Sequence, residues 1–164
     1  MWRILKAAPK FAVTALIILA IVNLLVGVIL RYFVGAITDW LDVDPVPFTW
    51  VEEVGELSLA WLALIGAAIG IQSRSHFSLS VFVHRLPVTT QLWILRFNHT
   101  LIVGVGILVA WYGFKLCLLN HTLRTPGLEI SLAWLYASSV VGGLLIVIYG
   151  LAEIMSPQLG EPQH

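Results

Sequence analysis

Three carboxylates within five residues, Glu52, Glu53 and Glu56, are the groups in this 164-residue chain best placed for acid–base or cation chemistry. They open a stretch, Thr49 to Ser80, that crosses an uncharged run beginning at Leu57 and emerges at Arg74 and His76. Thr49-Trp50-Val51-Glu52 matches a capping box, with Thr49 as N-cap and Glu52 reaching back to its backbone N–H. Glu52 and Glu53 also sit where the positive end of a helix dipole favours anions. Helix initiation therefore accounts for two of the three acids. Glu56, one turn beyond Glu52 on the same face, is left over. The competing reading is that these carboxylates pair with basic groups of another chain, or with Arg31 of this one.

The other reactive side chains are sparse. His76 and His99 fall toward the same end of two predicted helices, a disposition in which two axial haem ligands are conceivable. His76 lies past its helix end, however, and His121 sits at the opposite end. A haem-binding anchor of an oxidoreductase stays as an alternative. The single Cys117, in an apolar run, excludes an intrachain disulfide, a multi-cysteine metal site and a disulfide-generating enzyme, and reads as a packing residue. Gly66-Ala67-Ala68-Ile69-Gly70 has the small-xxx-small pattern that lets two helices approach closely, within this chain or against a partner. Arg74 and His76 fit charge matching at a helix C-terminus, or contact with a partner or with anionic membrane lipid.

The elements that position these groups follow from composition. Hydrophobic residues make up 59% and charged residues 11%, against roughly 25% charged in soluble domains, and the mean hydropathy is +0.94. The chain is predicted to be an all-α integral membrane protein, residues 1–164 forming a single membrane domain. Four stretches are long enough to cross the hydrocarbon, approximately 11–30, 50–72, 97–116 and 130–152. Helices are the form that satisfies every backbone group within the segment there, so a helical bundle is expected. Helix three is expected to run on at both ends, with an interfacial first part after Pro87, and Phe77 to Val83 is apolar enough to lie among headgroups. An uncleaved first helix is favoured over a signal peptide, because its apolar run is longer than the ~7–15 residues of a signal core. Arg3, Lys6, Lys10, Arg74, Arg85 and Arg96 fall on one side and Arg31, Lys115 and Arg124 on the other. Both termini are thereby predicted to be cytoplasmic. Trp61, inside helix two, is expected to pack on a neighbouring helix.

No predicted span holds an Asp, Glu, Lys, Arg or His at mid-depth, which are the groups that mark substrate and proton pathways. No catalytic residue, cofactor or metal is expected, and zero net charge offers nothing to nucleic acid. A stand-alone multidrug-type exporter would need a membrane-embedded carboxylate in helix one, which is missing. The residues read as an accessory subunit.

Four regions resemble one known family, the small membrane subunit of tripartite ATP-independent periplasmic (TRAP) transporters. They are Val28-Ile-Leu-Arg-Tyr-Phe-Val-Gly35; the Trp50…Glu52-Glu53 entrance; Trp61…Gly66-Ala67-Ala68 with Arg74-Ser-His76; and Thr125-Pro-Gly-Leu-Glu-Ile-Ser-Leu-Ala-Trp134-Leu-Tyr136 followed by Gly142-Gly143. Ser80 stands where members often have aspartate, and Ser131 where a proline commonly opens helix four. The resemblance implies a bacterial inner-membrane complex with a large multi-helix membrane subunit and a periplasmic substrate-binding protein. The large subunit would carry the substrate and sodium sites for uptake of an organic acid, and the small one would brace it. Arg31, Tyr32, Trp50, Glu52, Glu53, Glu56, Gly66, Gly70, Arg74, His76, Trp134 and Tyr136 are the expected structural and interface contacts.

Overall fold

The structure, a computed structural model, describes residues 2–42, 44, 47–72 and 88–155. The first helix, α1, spans Trp2–Leu41. It is followed by α2 over Thr49–Gln72, α3 over Val88–Asn120 and α4 over Ala133–Met155. All four are long and apolar enough to cross a membrane, and no strand longer than an isolated bridge occurs among the described residues.

The first span extends well beyond the expected 11–30. Hydropathy falls at Arg31, but nothing from Arg31 to Leu41 breaks a helix, and two charges, Arg31 and Asp39, are compatible with helical backbone. The α1 helix therefore carries Arg31, Asp39 and Trp40, which lie beyond the predicted span. It stops where Asp42 takes a left-handed conformation (φ 53°), which aspartate tolerates better than most residues. The expected ends of helix two hold to within a residue, and helix three is extended on both sides as expected. Helix four starts three residues later than predicted, because Ser131 is engaged in a bridge to Arg124.

The expected helical bundle takes the form of an open row. Among the described residues α1 packs on α2, α2 on α4 and α4 on α3, with no comparable contact between α1 and α3. The order across the row is therefore α1, α2, α4, α3. Facing pairs set the directions. Gly27 and Asn23 of α1 meet Val51 and Gly55 of α2, so these two run antiparallel. Leu64 meets Gly142, and Ala68 packs with Ile146 and Tyr149, so α2 and α4 run parallel. Gly106 and Gly113 of α3 meet Ile146 and Ser139 of α4, again antiparallel. Leu41, Thr49, Asn120 and Ala133 consequently share one end of the row.

Glycine permits the closest approaches. A β-carbon built on Gly143 would lie 2.7 Å from the Ala110 nitrogen and 2.8 Å from the Gly106 oxygen, and one on Gly142 would lie 2.6 Å from Leu64 Cβ. Tyr149 (2% exposed) and Ser138 (1%) are the largest fully buried side chains among the described residues. In contrast, α1 is held by few groups. Asn23 is its principal pin: it is buried, and its Nδ2 donates to the Val51 carbonyl at 2.8 Å. Interhelical hydrogen bonds in membrane proteins contribute about 0.6 kcal/mol on average and up to about 1.7. Asn23→Leu is therefore expected to lower the thermal midpoint of the detergent-solubilised chain modestly, and to leave its helix content by circular dichroism unchanged.

Candidate functional site

The end of the row at Thr49 carries the carboxylates, and each has a different fate. Helix α2 begins at Thr49 itself, one residue earlier than an N-cap assignment would have it, with Val51 N donating to Phe48 O at 3.1 Å. Glu52 does not turn back to close a capping box. Its Oε1 accepts from Arg31 Nη2 at 3.2 Å, across from α1, which is the intrachain pairing considered above. With the two side chains 79% and 69% exposed, this pair contributes less than about 1 kcal/mol. It links α1 to the first turn of α2.

Glu53 reaches the segment joining α3 to α4. Gly127 N donates to its Oε1 at 2.6 Å and Leu128 N to its Oε2 at 2.7 Å. The segment is folded as a short hairpin-like loop: Leu132 N donates to Leu123 O, Thr125 N to Ile130 O, and Glu129 N to Thr125 O. Glu129 adopts φ 53°, and Arg124 Nη1 donates to its carbonyl at 2.9 Å. Glycine is required at 127 by proximity, because a β-carbon there would lie 2.6 Å from Trp50 N and 2.7 Å from Thr49 Oγ1. The loop thus lies across the first turn of α2, its two successive amides clasped by one carboxylate. Helix dipole and capping gave Glu53 a local explanation; the structure gives it a partner 74 residues away.

Between α2 and the loop is a cleft of about 300 Å³, lined by Glu52, Glu53, Glu56, Leu57, Thr125 and Leu135 among others. Glu56 is exposed at its wall and forms no ion pair among the described residues. The remaining expected contacts scatter. Trp50 is half-buried beside Gly127, and Tyr32 stands 77% exposed beyond Arg31. The Trp134 carbonyl accepts from Trp61 Nε1 at 3.2 Å, which ties α4 to α2 and gives Trp61 the neighbouring helix expected for it. Tyr136 is half-buried one turn into α4. β-carbons on Gly66 and Gly70 would meet nothing within 4 Å, so these glycines serve no close packing inside the row. Arg74 and His76 lie outside the described residues, as does the segment Phe77 to Val83. His99, on α3, and His121, in the loop, are 22 residues apart, about 33 Å along a helix, and share no site. Cys117 Sγ lies 3.4 Å from the Ala133 carbonyl, inside the α3–α4 contact.

Three groups important to this architecture had no assigned role from sequence: the Gly127–Leu128 amides, Asn23 as a helix pin, and the Gly106/Gly113 pair. The last has a sequence signal, since a spacing of seven places both glycines on one helix face.

Residues 18–159 match the model of a family described as tripartite ATP-independent periplasmic transporters, DctQ component. The sialic acid TRAP transporter small permease protein SiaQ of Vibrio cholerae is 30% identical over 73% of this chain and 68% of its own length. The C4-dicarboxylate TRAP transporter small permease protein DctQ of Rhodobacter capsulatus is 25% identical over 89% and 74%. A third relative, a small permease protein of Haemophilus influenzae, is 28% identical over 85% and 81%.

Proposed function

Because this chain belongs to the DctQ component family of the TRAP transporters and is a multi-pass inner-membrane small permease subunit, we propose that it braces a large multi-helix membrane subunit during binding-protein-dependent, sodium-coupled uptake of an organic acid. The observation that carries this reading is the open row: four apolar helices that enclose little of one another and no ionisable group at mid-span. A row of this kind has two broad faces, and a translocation path has no place between helices that close around nothing. Scaffolding is what such a shape is suited to.

The named relatives support the substrate class. Sialic acid and C4-dicarboxylates are both carboxylates, although the selecting groups would lie in other chains. The basic residues Arg3, Lys6, Lys10, Arg74, Arg85 and Arg96 support cytoplasmic termini, and with that orientation the carboxylate end would face the periplasm and the substrate-binding protein. On this reading the whole chain acts as one membrane domain. Arg31, Tyr32, Trp50, Glu52, Glu53, Glu56, Gly66, Gly70, Trp134 and Tyr136 are its structural and partner contacts, and Arg74 and His76 serve the same purpose at the cytoplasmic end, beside membrane lipid.

Co-expression with the large membrane subunit is the direct test. A tag on this chain should recover the large subunit in near-equal amount from detergent extracts, and uptake in proteoliposomes should need both together with the binding protein. A solitary chain that transports on its own would overturn the proposal.

A further inference from the structure

One face of α2 is turned away from both α1 and α4, and its composition is not that of a surface shaped by hydrocarbon. Glu56, Leu59, Ala63 and Ala67 follow one another along it and all are exposed. Val51 and Gly55 face α1, whereas Leu64 and Ala68 face α4, so neither neighbour covers this line. Below Leu59 it is shallow: Ala63 and Ala67 carry single methyl groups, and Gly66 beside them has open space where a β-carbon would be. The outer face of α4 differs, with Val141, Leu144, Ile148 and Leu151 exposed in the manner of a lipid-facing helix.

Glu56 decides what covers the α2 face. It stands seven residues, about 10 Å, along the helix from Thr49. Glu52 is matched by Arg31 and Glu53 by two amides, but Glu56 is matched by nothing among the described residues and borders the open cleft. A carboxylate at the edge of the hydrocarbon, on a helix face continuous with it, is costly unless a cation or hydrogen-bond donor is brought to it. Acyl chains supply neither. Small residues on the same face admit a second helix backbone at short range.

We propose that this α2 face is the line on which a membrane helix of the large permease subunit docks, and that this helix carries an arginine or lysine that enters the cleft and pairs with Glu56. The inference rests on the small-subunit reading above. It adds the surface, the charge of the partner group and the depth at which that group lies.

The experiment uses the full chain co-expressed with the large subunit. A photo-cross-linking amino acid is placed singly at Ala63, Ala67, Leu144 or Ile148, and membranes are irradiated before extraction. Adducts with the large subunit are expected from positions 63 and 67 and not from 144 or 148. Glu56→Lys, which sets like charges together, should reduce recovered complex by about tenfold or more, and Glu56→Gln by less. If Glu56→Lys is not monodisperse alone, the cross-linking result decides. Should positions 63 and 67 yield lipid adducts, or adducts with a second copy of this chain, while the wild-type complex is recovered intact, the docking face is wrong and the small-subunit reading survives. Failure to recover any wild-type complex would overturn both.

Discussion

Gly143→Val is expected to abolish the folded subunit, seen as loss of the monodisperse peak in size-exclusion chromatography of detergent extracts. Its new side chain would start 2.7 Å from the Ala110 nitrogen and 2.8 Å from the Gly106 carbonyl oxygen, both backbone atoms of α3. Neither can rotate aside, so the helices themselves must separate. Overpacking at sites with some give costs about 1–3 kcal/mol, and more where backbone is the obstacle. The separation would also draw Ile102 of α3 away from the core cluster that includes Ile146 and Tyr149. Gly104→Val is the matched control. It lies on the same α3 helix, but its β-carbon would meet nothing within 4 Å, so the variant should elute and melt like wild type.

The second large effect is expected at Gly127 and Glu53. Gly127→Val would drive a side chain into Trp50 N and Thr49 Oγ1, lifting the loop from α2, and Glu53→Ala would remove the acceptor of two loop amides. Hydrogen exchange at the Gly127 and Leu128 amides should rise to the rate of open loops in both variants. Glu53→Gln, which keeps one good acceptor oxygen, should retain part of the protection. Trp61 Nε1 to the Trp134 carbonyl lies deeper in the α2–α4 contact, so the helices should stay joined and helix content should be preserved. Unchanged exchange in Gly127→Val would mean that the loop is held by something other than this clasp.

Local regularities were legible in the sequence, and contacts between distant segments were not. The bounds of α2 follow from the capping signal at Thr49 and the uncharged run that ends at Arg74, and they hold to within a residue. The far end of α1 was missed because a hydropathy drop at Arg31 marks where apolar residues thin out, and helical hydrogen bonding has no need of them. Glu53 shows the limit most clearly. Its position near a helix start was a sufficient local account, yet the amides it binds are at 127 and 128, which no spacing around 53 can announce. The row had the same difficulty. Four spans of adequate length are visible from composition, whereas their order across the row depends on which helix meets Gly142 and Gly143. Gly106 and Gly113 show that a close-packed face exists on α3 and leave its partner unnamed.

The order of helices across the row, α1, α2, α4, α3, differs from their order along the chain, and this governs how the protein can be made. During synthesis α1 and α2 enter the bilayer in succession and can pair at once through Asn23 and Gly27. The next helix, α3, finds no seat on either of them, because its place is at the far edge beside a helix not yet translated. It must wait in lipid with Gly106 and Gly113 exposed until α4 arrives. That helix then closes two contacts, against α3 through Gly143 and against α2 through Gly142, two adjacent residues on two sides of one helix. The last of these four helices to be made is thus the one that joins two helical hairpins into a single sheet of helices.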